Sequence, residues 1–165
     1  AHVSMAQPVS KQLVDIIINA QKTIPLHPTG TYITMEGPQF STLAESELYR
    51  SWNCDVIGMT NMPEAKLARE AEMGYATVAM ITDYDCWHPD HENVSVEQII
   101  DILQKNSNNA KMLIKEISRS IKNTTWNWND SSYFSLENAI ITPESARTKE
   151  SLDKIKYIAN RVLKN

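Results

Sequence analysis

The chain has 165 residues, of which 42% are hydrophobic and 22% charged, with a formal net charge of -4. That is enough for one globular domain with a sizeable core, and the absence of long like-charge runs argues against a nucleic-acid groove or an anionic membrane as partner. No apolar stretch approaches membrane-spanning length, and two cysteines, Cys54 and Cys86, with no recognisable signal peptide make the cytoplasm the expected location.

The chain opens Ala1-His2-Val3-Ser4-Met5, which reads as a cut through a longer protein. Leu13, Ile16, Ile17 and Ala20 recur at helical spacing between about Ser10 and Ile24, where Pro25 closes the segment. Thr31 to Met35 predicts a short strand ending at Glu36-Gly37-Pro38. Thr42 and Glu45 stand at capping-box spacing and open a helix that carries Leu43, Leu48 and Trp52. Asp55 to Thr60 reads as a buried strand, and Pro63 marks the first turn of a helix reaching Met73. Gly74 is expected to end that helix in the left-handed conformation, and a third strand is expected over Ala76 to Thr82.

Ser95 and Gln98 repeat the capping-box spacing at the start of a long helix whose apolar stripe runs from Val96 through Ile99, Ile100, Leu103, Ala110, Leu113, Ile114 and Ile117 to Ile121. Residues 123–145 read as a loosely ordered connection before a last helix ending near Leu163. Alternating strands and helices predict an α/β fold with a mixed, largely parallel central sheet flanked by helices, as a single domain over residues 1–165.

The third expected strand runs into Asp83-Tyr84-Asp85. A carboxylate after a buried strand needs a donor, and ligands of open α/β sheets gather at the carboxyl ends of strands, so this junction reads as a binding crevice. The alternative is a solvated loop start or a helix cap. Cys86-Trp87-His88-Pro89-Asp90-His91 contains metal-ligating side chains but no second cysteine at finger-like spacing. It is read as a polar turn over Trp87 or a flap over a ligand, with no metal expected. Phe40, after the Gly37-Pro38 turn, is either core or a platform for a flat heterocycle. At Gly58-Met59-Thr60 a strand end meets a helix start, where backbone N–H groups and a hydroxyl can meet an anion or a sugar. Glycines stand only at 30, 37, 58 and 74, so no glycine-rich phosphate loop is present, and there is no nucleophile elbow.

The stretches Met35-Glu36-Gly37-Pro38-Gln39-Phe40-Ser41-Thr42, Ala44-Glu45-Ser46, Gly58-Met59-Thr60-Asn61-Met62-Pro63-Glu64-Ala65, Leu67-Ala68-Arg69-Glu70 and Thr82-Asp83-Tyr84-Asp85-Cys86-Trp87 closely resemble the methylthioadenosine phosphorylases. These belong to the trimeric purine nucleoside phosphorylase family. Residues 1 to about 120 are similar to the latter part of such enzymes, and residues 123–165 match only loosely. The resemblance implies the nucleoside phosphorylase fold and phosphorolysis of methylthioadenosine to adenine and 5-methylthioribose 1-phosphate. Inorganic phosphate would be a co-substrate, with no metal or organic cofactor.

The resemblance assigns Asp83 as the acid near purine N7, Asp85 to the purine site, Thr82 to substrate binding, Phe40 to base stacking, Met59 to the ribose and Thr60 to a phosphate contact. Ser41, small and neutral, with Asp83 beside a 6-amino group, implies adenine over a 6-oxopurine. Val96, Ile99 and Ile100 match the wall around the 5' substituent, and read without the resemblance they are equally helix core. His2 matches a residue that reaches a neighbouring subunit's 5' site, which makes a homo-oligomer, a trimer or a multiple of one, the expected assembly.

Leu43 stands where many members carry Arg. The family's glycine-rich phosphate loop, its Arg-His pair and a second phosphate-binding turn all precede the region matching Ala1, so the N-terminal part of the same enzyme is the expected partner, and the chain alone is expected to be inactive. Two other readings stay open: a 6-oxopurine nucleoside phosphorylase, and a non-catalytic purine-binding or oligomerisation module.

Overall fold

The computed structural model describes residues 1–20, 24–89 and 96–163. Its elements are α1 (Lys11–Ala20), β1 (Tyr32–Thr34), α2 (Leu43–Ser51), β2 (Val56–Gly58), α3 (Asn61–Glu70), α4 (Val96–Lys122) and α5 (Lys149–Ala159), with short 3-10 turns at Ser131–Phe134 and Glu144–Ala146. Among the described residues, no helix is long and apolar enough to cross a membrane.

The chain forms two compact units, one of Ala1–Val14, Met62–Ala76 and Thr125–Asn165, the other of Asp15–Asn61 and Thr77–Thr124. Each collects its own buried residues. The first unit packs Leu136, Ala139, Ala159 and Leu163 together, with Val3, Ile140, Leu152 and Val162 against them. Residues 125–145 of the expected connection lie in this unit and include buried Ser132, Leu136 and Ala139. The segment's polar groups meet partly buried partners: Ser10 donates to Asp130 at 3.0 Å, the Leu136 N–H donates to Glu72 at 3.0 Å, and Trp126 Nε1 donates to the Tyr133 hydroxyl at 2.8 Å. Satisfied buried polar groups hold a segment that its composition alone marks as loop.

Arg69, 5% exposed, donates to the Gln7 carbonyl and, at 3.5 Å, to Ser131. Burial pushes the Asp130 carboxyl up, but hydrogen bonds from Ser132 and Ser10 and the nearby Arg69 charge outweigh it, and its pKa is lowered.

The second unit holds the sheet, a parallel pair with Tyr32 opposite Val56, Ile33 opposite Ile57 and Thr34 opposite Gly58. The parallel pairing agrees with the sequence reading, but the sheet is two-stranded. Residues 76–82 form no ladder, and Val78, Met80 and Ile81 are 38%, 51% and 54% exposed. A strand exists only beside an edge that takes its N–H and C=O groups, so an apolar β-branched run without such an edge stays irregular. A side chain takes one of these groups instead: Asn106 Nδ2 donates to the Ile81 carbonyl at 2.7 Å.

Local signals fared differently. The Thr42 hydroxyl accepts from the Glu45 N–H at 3.2 Å while the Glu45 carboxylate accepts from the Thr42 N–H at 2.7 Å, the expected capping box. Helix α2 stops where Asn53, at φ 56°, turns left-handed; the Asn53 and Cys54 N–H groups donate to the Arg50 and Tyr49 carbonyls. After α3 the same device occurs, but Glu72, at φ 55°, takes the left-handed place expected of Gly74. The Glu72 and Met73 N–H groups donate to the Arg69 and Ala68 carbonyls. Gly74 serves close packing instead, because a β-carbon there would lie 3.1 Å from the Tyr133 hydroxyl.

In α1, Ile16 and Ala20 are buried, and its expected continuation over 21–23 lies outside the described residues, as does Ser95 of the second capping box. On α4, Leu113 is buried, whereas Leu103 and Ile114 of the expected stripe are 47% and 62% exposed.

Candidate active site at the strand ends

The carboxyl ends of β1 and β2 lie side by side, extended by a hydrogen bond from the Met35 N–H to the Gly58 carbonyl at 2.9 Å. From β1 the chain passes through Gly37-Pro38, joined by a cis peptide, to Phe40, Ser41 and the capped start of α2. From β2 it passes through Met59 and Thr60 to the start of α3. Gly37, at φ 72°, brings the two turns into contact: a β-carbon there would lie 2.7 Å from Met59 Sδ. The Ser41 hydroxyl donates to Met35 Sδ at 3.5 Å, which turns it back over the β1 end.

The acidic segment reaches the same region, because Cys86 Sγ donates to the Ser41 carbonyl at 3.6 Å. Asp85 Oδ1 accepts from the Cys86 N–H at 2.8 Å, and Thr82 Oγ1 donates to Asp83 Oδ1 at 2.5 Å. Tyr84, Trp87 and His88 pack their rings together, with Tyr84 and His88 stacked at 4.4 Å. Trp87 lies under the Arg50 guanidinium, 3.7 Å from its ring centroid.

Phe40 is 86% exposed, so its reading as core is excluded within this chain. Its ring is presented to solvent; Ser41 and Met59 are half-buried and Thr60 is exposed. Asp83 is exposed and Asp85 half-buried. The expectation of Asp83 at the end of a buried strand is therefore corrected: residues 76–82 join no β-ladder, and this chain by itself does not enclose the acid.

The contacts that unite the strand ends do not involve Ile99, which is half-buried, or Ile100, which is 46% exposed, on the first turns of α4. The side chain of Val96 lies outside the described residues, as do Asp90 and His91. His2 belongs to the first unit, where its N–H donates to the Ala139 carbonyl at 2.8 Å and its side chain lines an open cleft with Gln7, Arg69, Phe134 and Asn138. Sequence reasoning missed Arg50, a charged residue in the last turn of a helix with no local mark of its ring partner 37 positions on.

The family pattern described as Phosphorylase superfamily matches residues 1–119, more than half of the chain. The chain belongs to this superfamily. It is 54% identical over 165 residues to an S-methyl-5'-thioadenosine phosphorylase of Rhodospirillum rubrum, covering 99% of this chain and 56% of the relative. With the enzyme of the same description from Synechocystis the identity is 46% over 167 residues, covering 98% and 50%.

The crystal structure of a methylthioadenosine phosphorylase from an antarctic soil metagenomic library superposes with a TM-score of 0.83 at 41% identity, over 96% of this chain and 56% of that one. A methylthioadenosine phosphorylase from Schistosoma mansoni in complex with adenine gives 0.66 at 30%, over 79% and 51%. The nucleoside phosphorylase fold anticipated from the motifs is thus the fold of these neighbours, and the chain spans about half the length of the curated relatives it matches.

Proposed function

We propose that the chain supplies the purine and 5' portions of a methylthioadenosine phosphorylase site, and that a preceding part of the same polypeptide supplies most of the phosphate site. The observation that carries this reading is the union of the three motif-bearing segments at one end of the parallel pair, through the Gly37 to Met59 and Cys86 to Ser41 contacts. The superfamily match and the names borne by relatives such as the Rhodospirillum rubrum enzyme support it.

In this reading a phosphate oxygen attacks the anomeric carbon, the C1'–N9 bond breaks, and its electron pair leaves with the purine. Asp83 hydrogen-bonds or protonates N7 as negative charge develops on the base. Phe40 stacks on the purine, Met59 underlies the ribose, Thr60 contacts the phosphate, Asp85 supports the base, and Thr82 belongs to the substrate site. Ser41, small and neutral, favours a 6-amino group. Val96, Ile99 and Ile100 give the 5' methylthio group an apolar wall, where a 5'-hydroxyl would lose its water without a replacement partner. His2 serves the 5' site of a neighbouring subunit in a cytoplasmic homo-oligomer, a trimer or a multiple of one.

Exposure of Asp83 and Phe40 in this chain fits the requirement for the N-terminal part, which would exclude water from the acid. The test is adenine release from methylthioadenosine by the natural full-length polypeptide, with and without inorganic phosphate. Phosphate-dependent release is expected; its absence overturns the enzyme reading. The chain alone is expected to release none.

A further inference from the structure

We propose that Arg50, acting through Trp87, positions Asp83 for proton donation to the leaving purine; this rests on the phosphorylase reading above. The segment that carries Asp83 has no ladder over residues 77–89, so its position is set by side-chain contacts. Upstream, Asn106 holds the Ile81 carbonyl at 2.7 Å. Downstream, residues 84–88 form one knot: the His88 N–H donates to the Asp85 carbonyl at 3.1 Å, and the Tyr84, Trp87 and His88 rings lie 4.4 to 5.8 Å apart. A knot of this kind moves as a unit.

Among the described contacts, one ties it to the residue before the α2 cap and one to α2 itself. The thiol of Cys86 meets the Ser41 carbonyl at 3.6 Å, and a thiol is a weak donor. The guanidinium of Arg50 lies 3.7 Å from the Trp87 centroid, well within the range in which a cation is attracted by the ring face. Arg50 is therefore the stronger fastening. It stands in the last turn of a helix whose first turn is fixed by the Thr42 and Glu45 box, directly after Phe40 and Ser41. Helix α2 thus acts as a ruler, presenting the stacking residue at its start and gripping the acid-bearing knot at its end. An acid displaced by about 1 Å loses about 10²-fold in such chemistry, so a loosened grip falls on turnover rather than on binding.

The test uses the natural full-length protein with methylthioadenosine and phosphate. Arg50→Ala is expected to lower kcat about tenfold, leave KM for both substrates within about twofold, and leave the melting temperature nearly unchanged, because Arg50 is an exposed residue. Arg50→Lys keeps a cation over the ring and restores most of the turnover. Combined with Asp83→Asn, Arg50→Ala should cause no further loss, since a residue that acts through another has nothing left to position. Independent losses that multiply, or an Arg50→Ala enzyme with full kcat, overturn the proposal while leaving the phosphorylase reading intact. A wild-type protein that releases no adenine with phosphate overturns that reading, and this role with it.

Discussion

Met59 lies against the bare α-carbon of Gly37, with Sδ 2.7 Å from where a β-carbon would stand. Because Gly37 also has φ 72°, a side chain there meets both a steric and a conformational penalty. Gly37→Ala should destabilise the protein by about 2 kcal/mol and raise KM for the nucleoside, as Met59 is pushed from the strand ends. Urea denaturation and steady-state kinetics measure the two effects, and an unchanged KM would detach Met59 from the ribose site.

Asp83→Asn should lower turnover of methylthioadenosine by about 10²-fold or more, with a much smaller loss for inosine analogues, whose 6-oxo group accepts from the amide N–H that a carboxylate lacks. Parallel kinetics on the two substrate classes decide it. Equal losses would count against Asp83 as the group that reads and protonates the purine.

Thr42→Ala removes the hydroxyl that accepts from the Glu45 N–H, along with half of the reciprocal box. A loss of about 1 kcal/mol is expected, while Thr42→Ser should be near neutral. Glu45, whose pKa is lowered by the backbone and side-chain hydrogen bonds of Thr42, should titrate closer to its ordinary value in Thr42→Ala. Carboxyl NMR titration of Glu45 in both proteins reads this.

Arg161 holds Glu72 through Nε at 2.8 Å and Nη2 at 2.5 Å, and with the Leu136 N–H this keeps the Glu72 carboxyl below its ordinary 4.5 against the opposing effect of burial. A carboxyl lowered by folding contributes stability that is full above its unfolded pKa and is lost as pH falls through the folded one. Arg161→Met should therefore reduce stability at pH 7 and flatten the decline on acidification below 4.5. Denaturant midpoints across pH 3 to 7 measure both; parallel curves for the two proteins would deny the linkage.

What the sequence made legible was what a few neighbouring residues decide. Thr42 and Glu45 satisfy each other three positions apart, and Tyr32 to Thr34 and Val56 to Gly58 found each other as edges of matching parallel register. Residues 76–82 were misjudged because strand formation belongs to a pair of edges, and an apolar run says nothing about whether its second edge is present. Gly74 was misassigned for a related reason: glycine tolerates a left-handed turn best, but Arg161 and the Leu136 N–H anchor Glu72 in that place. The polar residues of 123–145 read as loop because their partners, buried Ser10 and Arg69 and half-buried Glu72, lie more than 60 positions away.

The four tryptophans divide evenly, Trp52 and Trp87 in one compact unit and Trp126 and Trp128 in the other. Their surroundings differ as sharply, with a guanidinium over Trp87 and a phenol accepting the indole proton of Trp126. Each unit thus carries its own emitter, so a fluorescence melt of variants retaining one pair or the other would reveal whether the two lose their order together or in sequence.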